Sequence, residues 1–484
     1  METRLTQSLL ENKLLLKELF GNATDFYTKD IEIGTVPCCI CMFEGLSSGE
    51  KLWNMMLDQL AKEPQLPAQP QELFAYILKQ TALPLEHKTV ITVEDARAQL
   101  TAGTSVILMD GVAQGLVVST QSMQFRSVSP PSGEGNVRGS REGFIELLRT
   151  NISLIRRLIR TDELMVETMT AGEHTQTELA LLYSKTRVPP QLLATVKRRL
   201  STAKLPFVFD SGYLAAFLQK SRFSFFQAVG YTERPDTAAA KICEGKIILM
   251  ANGSPFAMIV PYFFNENFQS MDDYSEKAYF ASLIRLFKYA AFFLAVFLPG
   301  IFVSAADFTP ELLPPEMLYK VAASEQATPL PLFLEMVMVN FLLEIVREAG
   351  LRLPKPIGHS VSLVAALIIG DAAVGAGLLG TPVVIVAALT TLCTYVVPSL
   401  YEPITVLRIL FILAGGLFGP VGIIVLALAM LLNLCSMNAF GIPYLAPIAP
   451  ASAAFLRDGL IRRNWHTLAN ADFQVRDLEE GDQL

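Results

Sequence analysis

Long stretches without charged residues are the feature that most constrains how this 484-residue chain can fold. Between Gly358 and Pro450 only Asp371, Glu402 and Arg408 carry a formal charge. A helix rises about 1.5 Å per residue, so about 20 apolar residues cross the hydrocarbon core of a bilayer. Residues 281–450 are therefore predicted to form an all-α membrane domain of about four to six helices. The candidate spans are 287–306, 331–346, 357–378, 381–399 and 404–434.

The charges that flank these spans predict which side of the membrane each end faces. Basic residues lie near Arg285 and Arg347 and in the tail 451–484, whereas the segment 307–325 has four acidic residues against one lysine. The positive-inside rule places the basic flanks and the tail in the cytosol and the acidic loop outside. A cytosolic tail requires an even number of crossings, yet five spans are predicted, so one span is re-entrant or double. Span 404–434 is long enough to be bent or a tight hairpin, because it contains helix breakers. These breakers are Gly415, Gly416, Gly419 and Pro420.

The first half of the chain is predicted to be an α/β region of two related subdomains, residues 1–130 and 131–280. An apolar run, a turn containing Gly and a second apolar run form a hairpin signature at 105–118 and again at 246–260. Upstream of each hairpin lies an apolar segment, "TVPCCICMFEGL" or "KLPFVFDSGYL", that predicts a strand followed by a helix. The linker 127–140, rich in Pro, Gly and Ser, separates the two copies. The N-terminus lacks a signal-peptide pattern, which favours a cytosolic location for this half.

Composition and motifs argue against several classes of function. The net charge of −7 and the pI near 5.4 disfavour nucleic-acid binding, which needs a basic excess. Gly133, Gly135 and Gly139 match neither a P-loop nor a dinucleotide fingerprint, and no nucleophile elbow is present. We therefore expect no enzyme activity and no cofactor. The cluster of Cys38, Cys39 and Cys41 lacks the partners of a zinc site, so we interpret it as buried reduced thiols and expect no metal.

An arginine-rich segment opens the second subdomain, with a helix predicted over residues 141–160. At about 100° per residue, five charged side chains fall within one sector and apolar side chains cover another. One interpretation is a solvated ion-pair face. The other is a docking face for another subunit or for the membrane domain. The residues of this sector are Glu142, Glu146, Arg149, Arg156 and Arg160.

Polar residues within the predicted spans are candidates for an ion or substrate path, because charge at membrane depth is costly unless it faces water or a partner. For Glu344 the alternative is ion pairing with Arg347 at the cytosolic interface, and the sequence leaves both open. Asp371 is either a pore-facing acid or a packing residue whose carboxylate is satisfied by donors. The candidate path residues are Glu335, Asn340, Glu344 and Asp371.

Several colinear segments resemble the A subunits of GerA-type spore germinant receptors. "GSREGFIELLRTNISLIRRLIR" (139–160) resembles a signature segment of that family, and "TERPDTAAAKICEG" (232–245) resembles its E-R-P-D segment. "NGSPFAMIVPYFF" (252–264) resembles its D-G-T-P-F hairpin, with Asn252 where Asp is usual. "LLEIVREAGLRLPKPIGHSVSLVAALIIGDAAV" (342–374) and "SMNAFGIPYLAPIAP" (436–450) resemble its membrane core. The resemblance covers nearly the whole chain.

The resemblance implies a multi-pass protein of the endospore inner membrane, with its N-terminal region on the cytosolic side. Its implied partners are further copies of itself in a ring, a transporter-like B subunit, a lipoprotein C subunit, membrane lipids and monovalent cations. The implied function is a nutrient-gated channel for these cations, whose opening starts germination. The alternatives are a stage V sporulation paralogue that forms a related channel, a secondary transporter with a cytosolic regulatory domain, and a membrane scaffold without conduction.

Overall fold

A computed structural model describes residues 3–21, 23–63, 65–80, 88–121, 131, 133–136, 138–219, 224–353, 368–449, 458–468 and 475. The chain divides into two compact units. The α/β unit comprises Met1–Lys220, Val229–Tyr262 and Phe473–Leu484, and the helical unit comprises Ser221–Ala228 and Phe263–Asp472. The four domain limits inferred from the sequence (1–130, 131–280, 281–450 and 451–484) stay a prediction.

Two five-stranded antiparallel sheets form the α/β unit, and both have the same strand order. The first sheet has the order β1-β2-β4-β5-β3 and the second β6-β7-β9-β10-β8. This architecture confirms the predicted pair of related α/β subdomains. The strands are β1 Phe26–Ile33, β2 Val36–Phe43, β3 Lys88–Val90, β4 Ser105–Met109, β5 Gly115–Val118, β6 Leu164–Ala171, β7 Thr177–Ser184, β8 Gly230–Thr232, β9 Ile247–Ala251 and β10 Ala257–Val260. The helices are α1 Leu9–Leu19, α2 Gly49–Leu52, α3 Asp58–Lys62, α4 Pro70–Gln80, α5 Val93–Thr101, α6 Leu148–Leu158, α7 Pro190–Thr202, α8 Gly212–Leu218 and α9 Pro235–Cys243, with a π-helical turn Trp53–Leu57 between α2 and α3.

A nearly constant shift along the chain relates the two subdomains. Strands β3, β4 and β5 and the starts of α4 and α5 recur 142 residues later in β8, β9, β10, α8 and α9, as Pro70 and Gly212 illustrate. The predicted hairpins at 105–118 and 246–260 are β4–β5 and β9–β10 and are confirmed. The strand predicted in "KLPFVFDSGYL" is wrong, because no strand covers that segment and β7 is the equivalent of β2. Pro206 lies inside the segment and has no N–H to donate to a sheet.

Each subdomain uses the same asparagine device to start its first helix. The Asn12 side chain accepts from the backbone N–H of Thr6 at 2.8 Å and donates to its carbonyl at 2.7 Å. Asn151 does the same with Ile145, at 2.9 and 2.5 Å. These paired bonds hold the residues before the helix in a loop. The device explains why α6 begins at Leu148 and not near residue 141 as predicted.

A second side chain then caps the same helix from a distant hairpin turn. Asp110, after β4, accepts from the N–H of Leu9 at 3.1 Å, and Asn252, after β9, accepts from the N–H of Leu148 at 3.2 Å. Free N–H groups at a helix start need such acceptors. Asn252 therefore performs in the second subdomain the role that an aspartate performs in the first.

The cysteine cluster lies on β2, whose alternating side chains face two different cores. Cys38 faces the side covered by α2, α3 and α4, whereas Cys39 and Cys41 face the side covered by α1 and α5. All three cysteines are buried. Burial raises the pKa of the Cys38 thiol to about 12, so this group stays protonated at neutral pH.

Long helices dominate the helical unit. Its helices are α10 Asp272–Ser275, α11 Ala278–Phe308, α12 Pro315–Ala327, α13 Leu332–Arg352, α14 Thr381–Val396 and α15 Tyr401–Ser436, with a π-helical turn Ile368–Ala372 that continues into a short helix Ala373–Gly375. Among the described residues, two helices are long and apolar enough to cross a membrane, Ala278–Phe308 and Pro398–Ser436. The number is three if α12 and α13, bent by 80°, form one span.

Four of the predicted spans coincide with helices of this unit. Spans 287–306, 331–346 and 404–434 lie in or across α11, α13 and α15, and span 381–399 overlaps α14, a helix of 16 residues. Half of the fifth span, 357–378, lies outside the described residues. The described residues thus contain two or three such spans, and the number of four to six membrane helices stays a prediction.

Helix α15 folds back on itself. Gly419 has φ 60° and ψ −147°, a non-helical conformation that favours glycine, and Pro420 follows it. One end of α15 contacts the segment Ser221–Ala228 where Gln227 donates to Glu402 at 3.2 Å. The other end contacts it where Ser224 donates to Asn433 at 3.1 Å. A straight helix of this length would hold its ends about 50 Å apart, so α15 is a hairpin with two arms of about 25 Å.

Both ends of the helical unit's chain meet at one place. Arg285, near the start of α11, is fully buried and donates to Asp273 at 2.6 Å and to Asp458 at 2.9 Å. Asp458 lies beyond the hairpin, in the tail of the chain. The chain therefore leaves the helical bundle at the end where it entered. This arrangement agrees with an even number of membrane crossings. The five predicted spans give an even number if the hairpin 404–434 crosses the membrane twice.

Candidate functional site in the helical unit

Helix α13 carries three of the four candidate path residues, and Glu335 is the most deeply buried of them. Its side chain is 2% exposed, and Oε2 accepts from the backbone N–H of Gly380 at 3.0 Å. Oε1 has no hydrogen-bond partner among the described residues. Glu335 lines a cavity of about 10 Å³ together with Ser324 and Glu325, which is roughly room for one water molecule. A buried carboxylate oxygen is stable only if water, a proton or a cation satisfies it.

Asn340 lies five residues further along α13, about 140° around the helix axis from Glu335. It is 4% exposed and donates through Nδ2 to the backbone carbonyl of Met336 at 2.8 Å. Its Oδ1 atom is buried and has no partner among the described residues. Asn340 therefore offers a second free acceptor oxygen along the same helix.

Glu344, also on α13, belongs to a cluster of hydrogen bonds and ion pairs. Its carboxylate accepts from Arg347 Nη2 at 2.6 Å and from the hydroxyl of Tyr401, at the start of α15, at 2.6 Å. The guanidinium of Arg347 also lies 4.2 Å from the centre of the Tyr401 ring. The pairing left open for Glu344 is therefore present in the structure, and it ties α13 to α15.

Arg408 is a buried residue of α15 that is not among the four path residues predicted from the sequence. It is 3% exposed, and Nη1 donates to the hydroxyl of Thr394 on α14 at 3.3 Å. Its Nε has no partner, and no carboxylate of the described residues lies within ion-pair distance. An arginine within a long apolar span is itself a signal, because such charge is costly at membrane depth. This signal was available in the sequence.

Asp371 is not brought to the other candidates. It is exposed in the π-helical turn Ile368–Ala372 and has no ion pair among the residues that the structure places. No group of three or more His, Cys, Asp or Glu that could hold a metal occurs in the described parts of the chain. The site therefore comprises acceptor atoms on α13 and one buried arginine on α15 that donates to Thr394 on α14.

The arginine-rich segment makes its contacts within the α/β unit. Arg156 on α6 is 1% exposed and donates to both carboxylate oxygens of Asp25, at 2.6 and 2.7 Å. Asp25 belongs to the first subdomain and is 5% exposed, and the guanidinium also lies 4.4 Å from the Phe43 ring centre. Arg156 therefore joins the two subdomains and does not belong to a solvated stripe.

The other four residues of the predicted docking sector are more exposed. Arg149 pairs with Glu44 of the first subdomain. Glu142 precedes the helix and pairs with Arg157. Glu146 also precedes the helix, and its carbonyl accepts from the N–H of Gly253 at 2.8 Å. Arg160 is exposed, and its Nε donates to the carbonyl of Arg157 at 3.1 Å.

Comparison with known proteins gives a consistent family. A family model described as Bacillus/Clostridium GerA spore germination protein matches residues 14–472. Spore germination protein KA of Bacillus subtilis (strain 168) is 34% identical over 467 residues, which cover 95% of this chain and 85% of that protein. Spore germination protein B1 of the same bacterium is 33% identical, covering 94% of both chains.

A further Bacillus protein and one solved structure are also similar to this chain. An uncharacterized membrane protein of Bacillus subtilis (strain 168), YfkQ, is 32% identical over 95% of this chain and 89% of its own length. The crystal structure of the N-terminal domain of the A subunit of the Bacillus megaterium spore germinant receptor GerK3 is 24% identical, with a TM-score of 0.42. That match covers 55% of this chain and 98% of the solved one.

Proposed function

Because the chain belongs to the GerA family of spore germination proteins, we propose that it is the A subunit of a nutrient receptor in the endospore inner membrane. Several copies form a ring whose membrane helices make a channel for monovalent cations. The nutrient opens this channel, and cation release starts germination. The α/β unit lies on the cytosolic side, and a transporter-like B subunit and a lipoprotein C subunit complete the receptor.

One observation carries the channel proposal. Polar atoms without partners lie inside a unit whose helices are otherwise apolar, and three of them are Glu335 Oε1, Asn340 Oδ1 and Arg408 Nε. Buried polar groups are almost always hydrogen-bonded, so each exception needs a water or an ion. A hydrated cation path beside α13 supplies such partners when the channel is open.

The surface of α15 supports assembly into a ring. Large apolar side chains of its hairpin stay exposed in the single chain, including Phe418 (68%), Val421 (68%) and Leu432 (70%). Lipid or further copies of the chain must cover such a surface. We propose that further copies cover part of it, with the remaining part in contact with lipid.

Replacing Glu335 by Gln tests the ion path. The change removes a charge from the cavity with almost no change in shape, so cation release after nutrient addition changes about tenfold, equivalent to about 1.4 kcal/mol in a barrier. The measurement is potassium efflux from spores in which the variant is the sole receptor A subunit. Glu344→Gln is expected to alter efflux or selectivity in the same assay.

Glu348→Gln is the matched control, because Glu348 lies on the same helix and is paired at 2.6 Å with the exposed Arg352, with a longer contact of 3.4 Å to Arg347. All three variants should reach wild-type levels in the spore membrane. Normal efflux from both Glu335→Gln and Glu344→Gln spores would contradict the path. The size of the purified protein in detergent provides a separate test, because a monomer would favour the secondary transporter over the ring.

A further inference from the structure

Four aromatic side chains of the second subdomain form an exposed patch. Phe207, Phe209, Tyr213 and Phe217 are 44%, 63%, 43% and 37% exposed. The rings of Phe207 and Phe209 stack at 5.5 Å between centroids, and each lies 6.5 Å from the Tyr213 ring. Tyr213 and Phe217 are four residues apart on α8 and so share one helix face. Soluble surfaces rarely leave such rings clustered and uncovered.

The first subdomain lacks this patch at the equivalent positions. The shift of 142 residues that relates α8 to α4 places Gln65, Pro67, Gln71 and Ala75 where the four aromatic residues stand. None of these four residues is aromatic. The patch is therefore a property of the second copy and not of the shared fold.

The second copy is also the one whose chain continues into the helical unit directly after this helix. Ser224, seven residues after Phe217, contacts Asn433 in the second arm of the α15 hairpin. Gln227 contacts Glu402 in the first arm, and both contacts lie away from the turn at Gly419. Residues 224–227 therefore lie at the end of the helices, where a membrane-spanning bundle meets the headgroups. Seven residues of chain extend at most about 25 Å, which is an upper limit to the distance between Phe217 and Ser224.

Basic residues accompany the patch although the whole chain is acidic. Lys204 precedes Phe207 and is exposed, as is Arg198 on α7. The neighbouring Arg199 donates to the carbonyl of Leu218, the last residue of α8, which holds α7 against α8. Aromatic rings beside lysine and arginine are the composition of surfaces that sit at the membrane interface, because rings partition into the headgroup layer and cations attract anionic lipids.

We propose that the patch of Phe207, Phe209, Tyr213 and Phe217 inserts into the headgroup layer of the membrane that holds the helical unit. It anchors the second subdomain to the lipid surface through its rings, and Arg198 and Lys204 contact anionic headgroups. The proposal does not depend on the channel, since it requires only that the helical unit span a membrane. Breaking the anchor would free the α/β unit from the bilayer surface without changing the helices.

The test uses the full chain in nanodiscs whose lipids carry bromine on the upper part of the acyl chain. The native Trp53 and Trp465 are changed to Phe, and a single tryptophan is introduced as Phe209→Trp or Phe217→Trp. Bromine quenches tryptophan only on contact, so both variants should lose about half or more of their fluorescence relative to unbrominated lipid, in keeping with interfacial tryptophan. Tyr27→Trp is the control, because Tyr27 is an aromatic residue of the first subdomain with 48% exposure, and it should show no loss.

Two results would overturn the proposal. If the tryptophans at 209 and 217 ignore brominated lipid but are quenched by acrylamide in the water phase, the patch faces solvent. If neither reagent quenches them, protein covers the patch, and a second copy or another subunit is its partner. Arg198→Glu with Lys204→Glu supplies a second reading: it should reduce the bromine quenching in anionic nanodiscs, and unchanged quenching would remove the basic residues from the contact.

Discussion

At the scale of single residues, Arg156 decides how the two subdomains are held together. A buried ion pair is weak evidence of net stability, but removing one partner leaves an uncompensated charge in the interior and costs about 3–5 kcal/mol. Asp25 would be that charge, because its carboxylate accepts two hydrogen bonds from Arg156 and is 5% exposed. The contact therefore specifies the relative position of the subdomains more than it adds to their stability.

Arg156→Met should lower the midpoint of thermal unfolding of the purified chain and increase hydrogen exchange in residues 23–26, where Asp25 lies. Arg156→Glu should act more strongly and reduce the level of the protein in the membrane. Arg160→Met is the control, since Arg160 is exposed and surface changes usually stay within about 0.5 kcal/mol.

A compensating variant separates the ion pair from simple loss of packing. Arg156→Met combined with Asp25→Leu removes both charges and should recover much of the stability that Arg156→Met loses. If Arg156→Met unfolds at the same temperature as Arg160→Met, Arg156 does not join the subdomains in solution.

At the scale of elements, the turn at Gly419 determines whether α15 is one helix or two arms. Its φ of 60° with ψ −147° suits glycine alone, and a Cβ there would lie 2.8 Å from the Phe308 ring. Gly419→Ala should therefore cost about 1–3 kcal/mol from backbone strain, with a further cost from the clash. We expect a lower unfolding midpoint in detergent and less protein in the membrane.

Gly375→Ala is the matched control for that change. Gly375 lies in the short helix Ala373–Gly375, and a Cβ added to it would meet no atom within 4 Å. Alanine there is expected to be neutral or slightly stabilising, since it favours a helix over glycine by about 1 kcal/mol. Equal behaviour of the two variants would mean that α15 does not turn at Gly419.

At the scale of the whole molecule, the contact of Arg285 with Asp458 places the start and the end of the helical unit at the same end of its helices. We therefore expect both on the same side of the membrane. The acidic segment after α11 is then expected on the opposite side of the membrane. A reporter enzyme fused to either terminus should be active on the same side of the membrane, and a reporter inserted after Leu312, which is 71% exposed, should be active on the other. Activity of the two terminal fusions on different sides would require an odd number of crossings.

The sequence predicted the features that depend on local pattern. Apolar runs with few charges marked α11, α13, α14 and α15, and apolar runs around glycine turns marked β4–β5 and β9–β10. It could not predict features set by distant contacts. The helix expected from residue 141 begins at Leu148, because Asn151 binds the preceding loop at Ile145 and Asn252 caps the helix at Leu148. Asn252 lies 104 residues away from Leu148.

The candidate site divides in the same way. Glu335 and Asn340 were found because polar residues in an apolar helix stand out, and their unpaired oxygens became visible only in three dimensions. Helical angle places Arg156 in the charged sector but cannot show that the other subdomain covers that face. The role of the five docking candidates toward other subunits stays a prediction, as does the role of the four path residues.

The ion pair between Arg285 and Asp458 also has a consequence for the synthesis of the protein. Its two partners are 173 positions apart, so Arg285 leaves the ribosome roughly 10–35 s before Asp458 at usual rates of synthesis. During that interval the guanidinium has Asp273 but lacks its second carboxylate. We therefore expect the helices between Arg285 and Asp458 to enter the membrane before these two residues meet. The contact of Asp458 then completes the hydrogen bonding of Arg285.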